Sequence, residues 1–450
     1  MPTVNEMLAQ IWAHHQQGNV VGAEAAYRVL AEKAPENANV HVYLGIALFD
    51  LRRYEEAVAA YRRAIEIQPF FPVAHNNLGN ALRMIGQVEQ ADHALALALE
   101  QKPDYLNAMK NRGTLWVWDG QIDRGLRWYQ AAIALQGDDA EVRRNLGIIY
   151  LLQGRYEEGW REYRYRWKLP GLVRPAFTKP VWQGEPLAGK TLFVYPEQGL
   201  GDAIQFLRIL PRVRDMGGTV IVGCETKLVP LFSLVEGMGQ IVPTGTSGGP
   251  FDYHASLVEV ADYTWQGLQS IDGKPYLHVA ENLREYWRNR LASLPGLKVG
   301  ICWQGNREHH ADIYRSIPLA TFEPLAQLPG VSLVSLQFGE GTDQLARVPF
   351  APRIHRLPED VDRSGGAFLD TAAIVANLDL IITVDTSTGH LAGAIGTPTW
   401  LLLGKVPDWR WGLQSDRTPW YQNHRLWRQV TQGDWQPLIA EVAHALGKVS

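Results

Sequence analysis

Residues recur every 34 positions through the first third of the chain, and this repeat constrains the fold more than any other feature. Gly45, Gly79, Gly113 and Gly147 occupy one column; Gly18, Arg52, Gly86, Gly120 and Gly154 a second; Ala23, Ala57, Ala91, Gly125 and Gly159 a third. Tyr27, Tyr61, Leu95, Tyr129 and Tyr163 form a fourth. Pro35, Pro69 and Pro103 close three units, and Gly137 stands in the next such slot. A period of this length predicts one helix–turn–helix hairpin per unit. Small residues let two helices cross closely, large ones fill the adjoining hole, and Pro or Gly ends the second helix. A lone hairpin cannot bury its apolar face, so hairpins stack into a curved rod with a concave surface. About four and a half units, ending near Trp167, are expected. Asn76, Asn77, Asn107 and Asn111 fall on first helices, which line such a groove. Their amides suit hydrogen bonding to an extended peptide, or are solvated polar positions; spacing does not choose. A packing or dimerisation scaffold fits the same repeats.

The pattern changes after residues 169–188, a Pro- and Gly-rich linker. TLFVYPE, TVIVGCE, QIVPTG and FDYHASL read as strands, separated by helical stretches such as GLGDAIQFLRILPRVRDMG (199–217). KVGICWQG, VSLVSLQFG, DLIITVDTS and TPTWLLLG form a second set, with helical PLATFEPLAQLPG and FLDTAAIVANL between them. This β-α-β alternation predicts parallel sheets flanked by helices. The expected layout is an α-solenoid at 1–168, one Rossmann-like half at 189–292, a second at 293–433, and a C-terminal helix at 434–450. Two such halves enclose a cleft, and ligands there sit at the carboxyl ends of strands.

Lys and Arg number 43 against 47 Asp and Glu, a net charge of −4, which argues against a general nucleic-acid binder. Two cysteines, Cys224 and Cys302, exclude a disulfide framework or a cysteine zinc site. The first residues carry no secretory pattern and no stretch reaches membrane-span length, so a cytoplasmic protein is expected. Sixteen Trp and 17 Tyr suit packing and also sugar-binding surfaces.

Four segments carry candidate chemistry. In PEQGLGDAIQF (196–206), Gly199 and Gly201 allow a tight turn and close ligand approach, and a helix follows. Asp202 in its first turn is either a helix cap or a general base; Gln198 and Gln205 flank the same turn. In VDTSTGHLAGAIG (384–396), Asp385, Thr386, Ser387, Thr388, Gly389 and His390 end an apolar strand and open a helix. Hydroxyls, glycine and a helix N-terminus make a cradle for a diphosphate; Asp385 could instead cap the helix and His390 could instead be a core residue. In CWQGNREHHADIYRSIPL (302–319), Arg315 can reach a phosphate. His309 and His310 lack the convergent ligands that a metal needs, so no metal site is expected. In GKVPDWRWG (404–412), Asp408 and Arg410 either close over a ligand or form one salt bridge of a packed loop. Gln337, beyond the 331–336 strand, is positioned to contact a nucleoside. The full dinucleotide fingerprint is absent, against an oxidoreductase.

The repeats resemble tetratricopeptide repeats. The region from about 190 to 447 resembles bacterial glycosyltransferases of GT-B architecture, specifically the heptosyltransferase-like group, through GLGDAIQFLRILP and VDTSTGHLAGAIGTP. The resemblance implies a nucleotide-sugar donor as substrate, no resident cofactor, and inverting, metal-independent transfer. It implies Asp202 as catalytic base, Arg315 near the donor phosphates where lipopolysaccharide enzymes carry Lys, and residues 386–390 on the diphosphate. Leu403-Gly404-Lys405-Val406 replaces the Phe-Gly-Pro-Thr of lipopolysaccharide heptosyltransferases, which weakens the case for a heptose donor. The fusion resembles the layout of O-linked N-acetylglucosamine transferase and flagellin-modifying enzymes, implying a protein or peptide acceptor docked by the repeats. The alternative is a non-catalytic repeat scaffold with a degenerate transferase domain. A homo-oligomer stays open.

Overall fold

A computed structural model describes residues 2–449 except 236, 247, 310 and 364, so His310 lies outside the described residues. The chain divides into two compact units: Met1–Tyr150 with Arg161–Leu169, and Leu151–Trp160 with Pro170–Ser450.

The first unit is a helical-repeat solenoid. Helices Val4–Gln16, Val20–Lys33, Ala38–Asp50, Tyr54–Ile67, Pro72–Met84, Val88–Gln101, Leu106–Trp118 and Ile122–Leu135 pair in sequence. Helices Ala140–Leu152 and Tyr156–Tyr163 follow, so the described residues of this region form five successive helix–turn–helix segments. The first helix begins upstream of the repeating columns, where Thr3 and Glu6 cap each other: the Glu6 N–H donates to the Thr3 hydroxyl, and the Thr3 N–H to the Glu6 carboxylate at 2.7 Å.

The columns have direct steric causes. A Cβ on Gly45 would lie 2.5 Å from the Tyr61 ring, one on Gly79 2.6 Å from Leu95, and one on Gly113 3.0 Å from Tyr129. Tyr61 and Leu95 are buried, and Ala57 and Ala91 are inaccessible where helices cross. Gly18, Gly86, Gly120 and Gly154 adopt φ between +75° and +91° at the hairpin turns. Arg52 holds the same column at φ 60°, a left-handed conformation costing an L-residue roughly 1 kcal/mol. Helices stop at Lys33, Ile67 and Gln101, two residues before Pro35, Pro69 and Pro103, because the residue preceding proline is pushed out of the helical region.

The second unit contains two wholly parallel sheets. The first has strands β1 (Thr191–Tyr195), β2 (Thr219–Cys224), β3 (Gln240–Pro243) and β4 (Tyr253–Ser256), in the order β3-β2-β1-β4. The second has β5 (Leu297–Cys302), β6 (Val331–Ser335), β7 (Ile354–His355), β8 (Leu380–Val384), β9 (Thr399–Leu403) and β10 (His424–Arg428), in the order β10-β9-β8-β5-β6-β7. β7 and β10 are not evident from sequence; β7 is only two residues long, and β10 carries charge at Arg425 and Arg428. The helix expected over 199–217 is two, Leu200–Leu207 and Leu210–Asp215, because Pro211 has no N–H to continue the ladder. Pro324 likewise divides 318–330 into a 3-10 turn at Leu319–Phe322 and a short helix at Glu323–Ala326. Strand order reverses beside β1 and beside β5, so each sheet opens a crevice at the carboxyl ends of β1/β4 and β5/β8.

Candidate functional site

The turns after β1 and β8 meet face to face. Gly199 caps the Leu200–Leu207 helix, and Thr386 caps Ser387–Ile395. Gly201 lies against His390: a Cβ there would come within 2.6 Å of the His390 ring. Asp202 spans this junction. Its carboxylate accepts from the Arg410 guanidinium opposite, and the nearby Gly199 N–H favours its charged form. Arg410 also donates to Asp408 at 2.7 Å, while Asp408 accepts the Arg410 backbone N–H at 3.1 Å. The salt-bridge reading of this loop is therefore present, and the bridge extends across the crevice to Asp202. Burial raises the Asp202 pKa; Arg410 opposes that rise, and the Asp408 and Glu197 carboxylates add to it.

His390 is fixed by its neighbours. Its Nδ1 shares a 3.0 Å hydrogen bond with the Tyr421 hydroxyl, and its ring stacks on Trp411. Burial, together with Arg410, His424, Arg208 and Arg315, drives its pKa well below the ordinary histidine value, so the ring is neutral. Burial pushes His424 down to about 3, against the Gly389 carbonyl that accepts from its Nε2 at 3.1 Å. Arg208 is buried between the Tyr276 and Tyr421 rings, 4.7 and 4.8 Å from their centroids. Arg208, Arg315 and Arg410 thus lie around the His390 end of one helix, Arg315 and Arg410 each paired with carboxylates.

Arg315 donates to the Asp385 carbonyl at 3.0 Å and to Asp312 at 3.3 Å, which aligns its guanidinium with the 385–387 turn. Burial pushes the Asp385 carboxyl up to about 6, Asp408 raising it further and Arg315 opposing. The three-hydroxyl cradle is narrower than the sequence implies. Thr386 turns inward, with its hydroxyl 3.2 Å from Thr383 and 3.8 Å from the Cys302 sulfur, and Thr388 is also buried beside Cys302. Half-buried Ser387 is the hydroxyl left at the helix end. Gly389 packs under Leu401.

Gln337 has a different role from the one expected. Its carbonyl accepts from the Trp303 and Gln304 N–H groups at 3.1 and 3.0 Å, and its amide donates to the Gln304 and Glu340 carbonyls at 3.1 and 2.7 Å. Those bonds clip the loops after β5 and β6 together and leave the amide no capacity for a nucleoside. Gln198 is exposed and donates to Glu197. Gln205 is fully buried, with no hydrogen-bond partner for either amide atom. Glu197, Arg208, Tyr421 and His424 also border this site without a role assigned from sequence. Glu197 and Arg208 lie inside segments already singled out, whereas Tyr421 and His424 stand in no motif and join the site only through the fold.

In the repeat unit, Asn76, Asn77, Asn107 and Asn111 lie on the Pro72–Met84 and Leu106–Trp118 helices. Asn111 donates to Asn76 at 2.8 Å, and Asn76 to Asn77 at 3.0 Å. Asn76 is buried, so the solvated reading does not hold for it. Among the described residues no helix is long and apolar enough to cross a membrane, and no group of three His, Cys, Asp or Glu side chains is arranged to hold a metal ion.

Residues 47–86 match a family model described as TPR repeat, and residues 119–163 one described as tetratricopeptide repeat. The N-terminal region carries tetratricopeptide repeats, followed by an α/β region of parallel sheets. The chain is 29% identical over 287 residues to Protein FlbA of Caulobacter vibrioides, an alignment covering 59% of this chain. It spans about half of that relative's length, 48%. Solved structures with similarity include TTC0263, a TPR protein of Thermus thermophilus (20% identity, TM-score 0.34, 37% of this chain and 92% of that one). Another is YrrB, described as a TPR protein with an unusual peptide-binding site (22%, 0.27, 32% and 74%).

Proposed function

We propose that the second unit is a GT-B glycosyltransferase of the heptosyltransferase-like kind, using a nucleotide-sugar donor, and that the repeats dock a protein or peptide acceptor. One observation carries the reading: two strand-to-helix turns at the reversal points of two parallel sheets face each other, with the Asp202 carboxylate on one and, on the other, a helix N-terminus with Arg315 beside it. Asp202 takes the proton of an acceptor hydroxyl as that oxygen attacks the anomeric carbon. The bond from that carbon to the diphosphate breaks on the opposite side, so the configuration inverts. Arg315 and the N-terminus of Ser387–Ile395 meet the charge that develops on the departing diphosphate. Burial helps Asp202 by making it more basic than a free carboxylate.

A second reading, a silent transferase domain supporting a repeat scaffold, is favoured by the ion pair that engages Asp202. A thermal-shift panel of ADP, UDP, GDP, CDP and CMP separates the two. At 100 times the dissociation constant a true ligand stabilises by about 2.7 kcal/mol, so one nucleoside diphosphate should raise the melting temperature clearly above the others. A flat response across the panel favours the scaffold.

A further inference from the structure

Arg410 has two carboxylate partners of unequal permanence. Asp408 belongs to its own loop and holds both its side chain and its backbone N–H. Asp202 comes from the other sheet's turn, 208 residues away in sequence. The side chain is nearly inaccessible, 6% exposed, and its guanidinium lies over the Phe206 and Trp409 rings, 5.1 and 4.7 Å from their centroids. Arg410 can therefore release Asp202 and still remain anchored by Asp408. Arg315 donates to the Asp385 carbonyl at 3.0 Å, and Trp411, next to Arg410, stacks on the His390 ring, so both guanidiniums stand beside the helix end at the 385–387 turn that an anion would enter. A diphosphate is a denser and more highly charged acceptor than one carboxylate, and it competes effectively for a planar guanidinium.

We propose that Arg410 is a charge-gated clasp: it holds Asp202 while the crevice is empty and exchanges it for the diphosphate of a bound donor, so that the carboxylate becomes free only over a loaded site. This rests on the glycosyltransferase reading for the identity of the anion. Arg410 is in these terms a positioning residue, acting through Asp202. The arrangement also reconciles the engaged carboxylate with an active enzyme.

The test is a double-mutant cycle on the full chain, with inorganic pyrophosphate as the probe and calorimetry as the readout. Asp202→Asn, which removes the competitor, should bind pyrophosphate about tenfold more tightly than the unaltered protein, and Arg410→Gln about tenfold more weakly. In the Arg410→Gln background, Asp202→Asn should change the affinity less than about twofold. A purely structural role for the pair predicts weaker binding in both single variants. The clasp is overturned if Asp202→Asn tightens binding equally in both backgrounds, if it does not tighten binding at all, or if pyrophosphate does not bind. Should Asp202→Asn fail to fold, Arg410→Lys replaces it: keeping the charge without the two-sided geometry, it should bind pyrophosphate with an affinity between those of Arg410→Gln and the unaltered protein, and an affinity no better than that of Arg410→Gln contradicts the proposal. If the cycle behaves as expected but no nucleotide sugar is bound, the clasp stands as an anion gate and the transferase reading falls. If nucleotide sugars bind and the cycle is flat, the reverse holds.

Discussion

Asp202→Asn is expected to lower turnover by roughly 10²–10⁴-fold while leaving donor binding intact. The amide keeps the size of the carboxylate and its place in the first turn of Leu200–Leu207, so the helix start survives. What it cannot do is take a proton. It also no longer pairs as an anion with Arg410, so donor affinity should rise. Steady-state kinetics with the donor identified by the nucleotide panel check this directly. Turnover within a factor of two of the unaltered enzyme would remove Asp202 from the base role, whatever else the crevice binds.

Gly201→Ala carries the second large effect. Gly201 is in the first turn of Leu200–Leu207, where Ala is the better helix former by about 1 kcal/mol, so local propensity alone predicts stabilisation. The contact predicts the opposite. The new Cβ would come within 2.6 Å of the His390 ring, and that ring cannot swing aside. Tyr421 holds its Nδ1 and Trp411 lies along its face. Forcing a methyl into such a packed contact typically costs about 1–3 kcal/mol, and the shift would also separate Asp202 from Arg410. Urea unfolding measures the first effect and activity the second. Gly199→Ala is the control: its Cβ would approach only the Asp202 carboxylate, at 3.3 Å, which can give way. Equal stability for both variants would mean that the two turns are not pressed together as described.

Much of the fold was legible in the sequence because its signals are periodic or local. The 34-residue columns are written as Gly45 under Tyr61 and Gly79 under Leu95, and the steric cause acts identically in each hairpin. Strand β8 and most of β1 are apolar runs because they are buried on both faces, and β5 becomes one after Lys298. Asp202 and Gly389–His390 stood out because they sit at strand-to-helix turns. The pairing of Asp202 with Arg410 did not, since nothing local links two residues 208 apart. Gln337 misled for a related reason: its position beyond a strand end was right, but only the fold shows that four backbone groups exhaust its amide. Tyr421 and His424 gave no signal, because their part is to hold the His390 and Gly389 side of the crevice from behind.

The most direct test of the central claim is a crystal structure of the chain with the nucleoside diphosphate that stabilises it most. The account predicts that the two phosphates lie at the N-terminus of Ser387–Ile395, within hydrogen-bonding distance of Arg315, with Asp202 facing the vacant sugar position. Phosphates bound anywhere else, with the Gly201 and His390 turns still in contact and undisturbed, would contradict it.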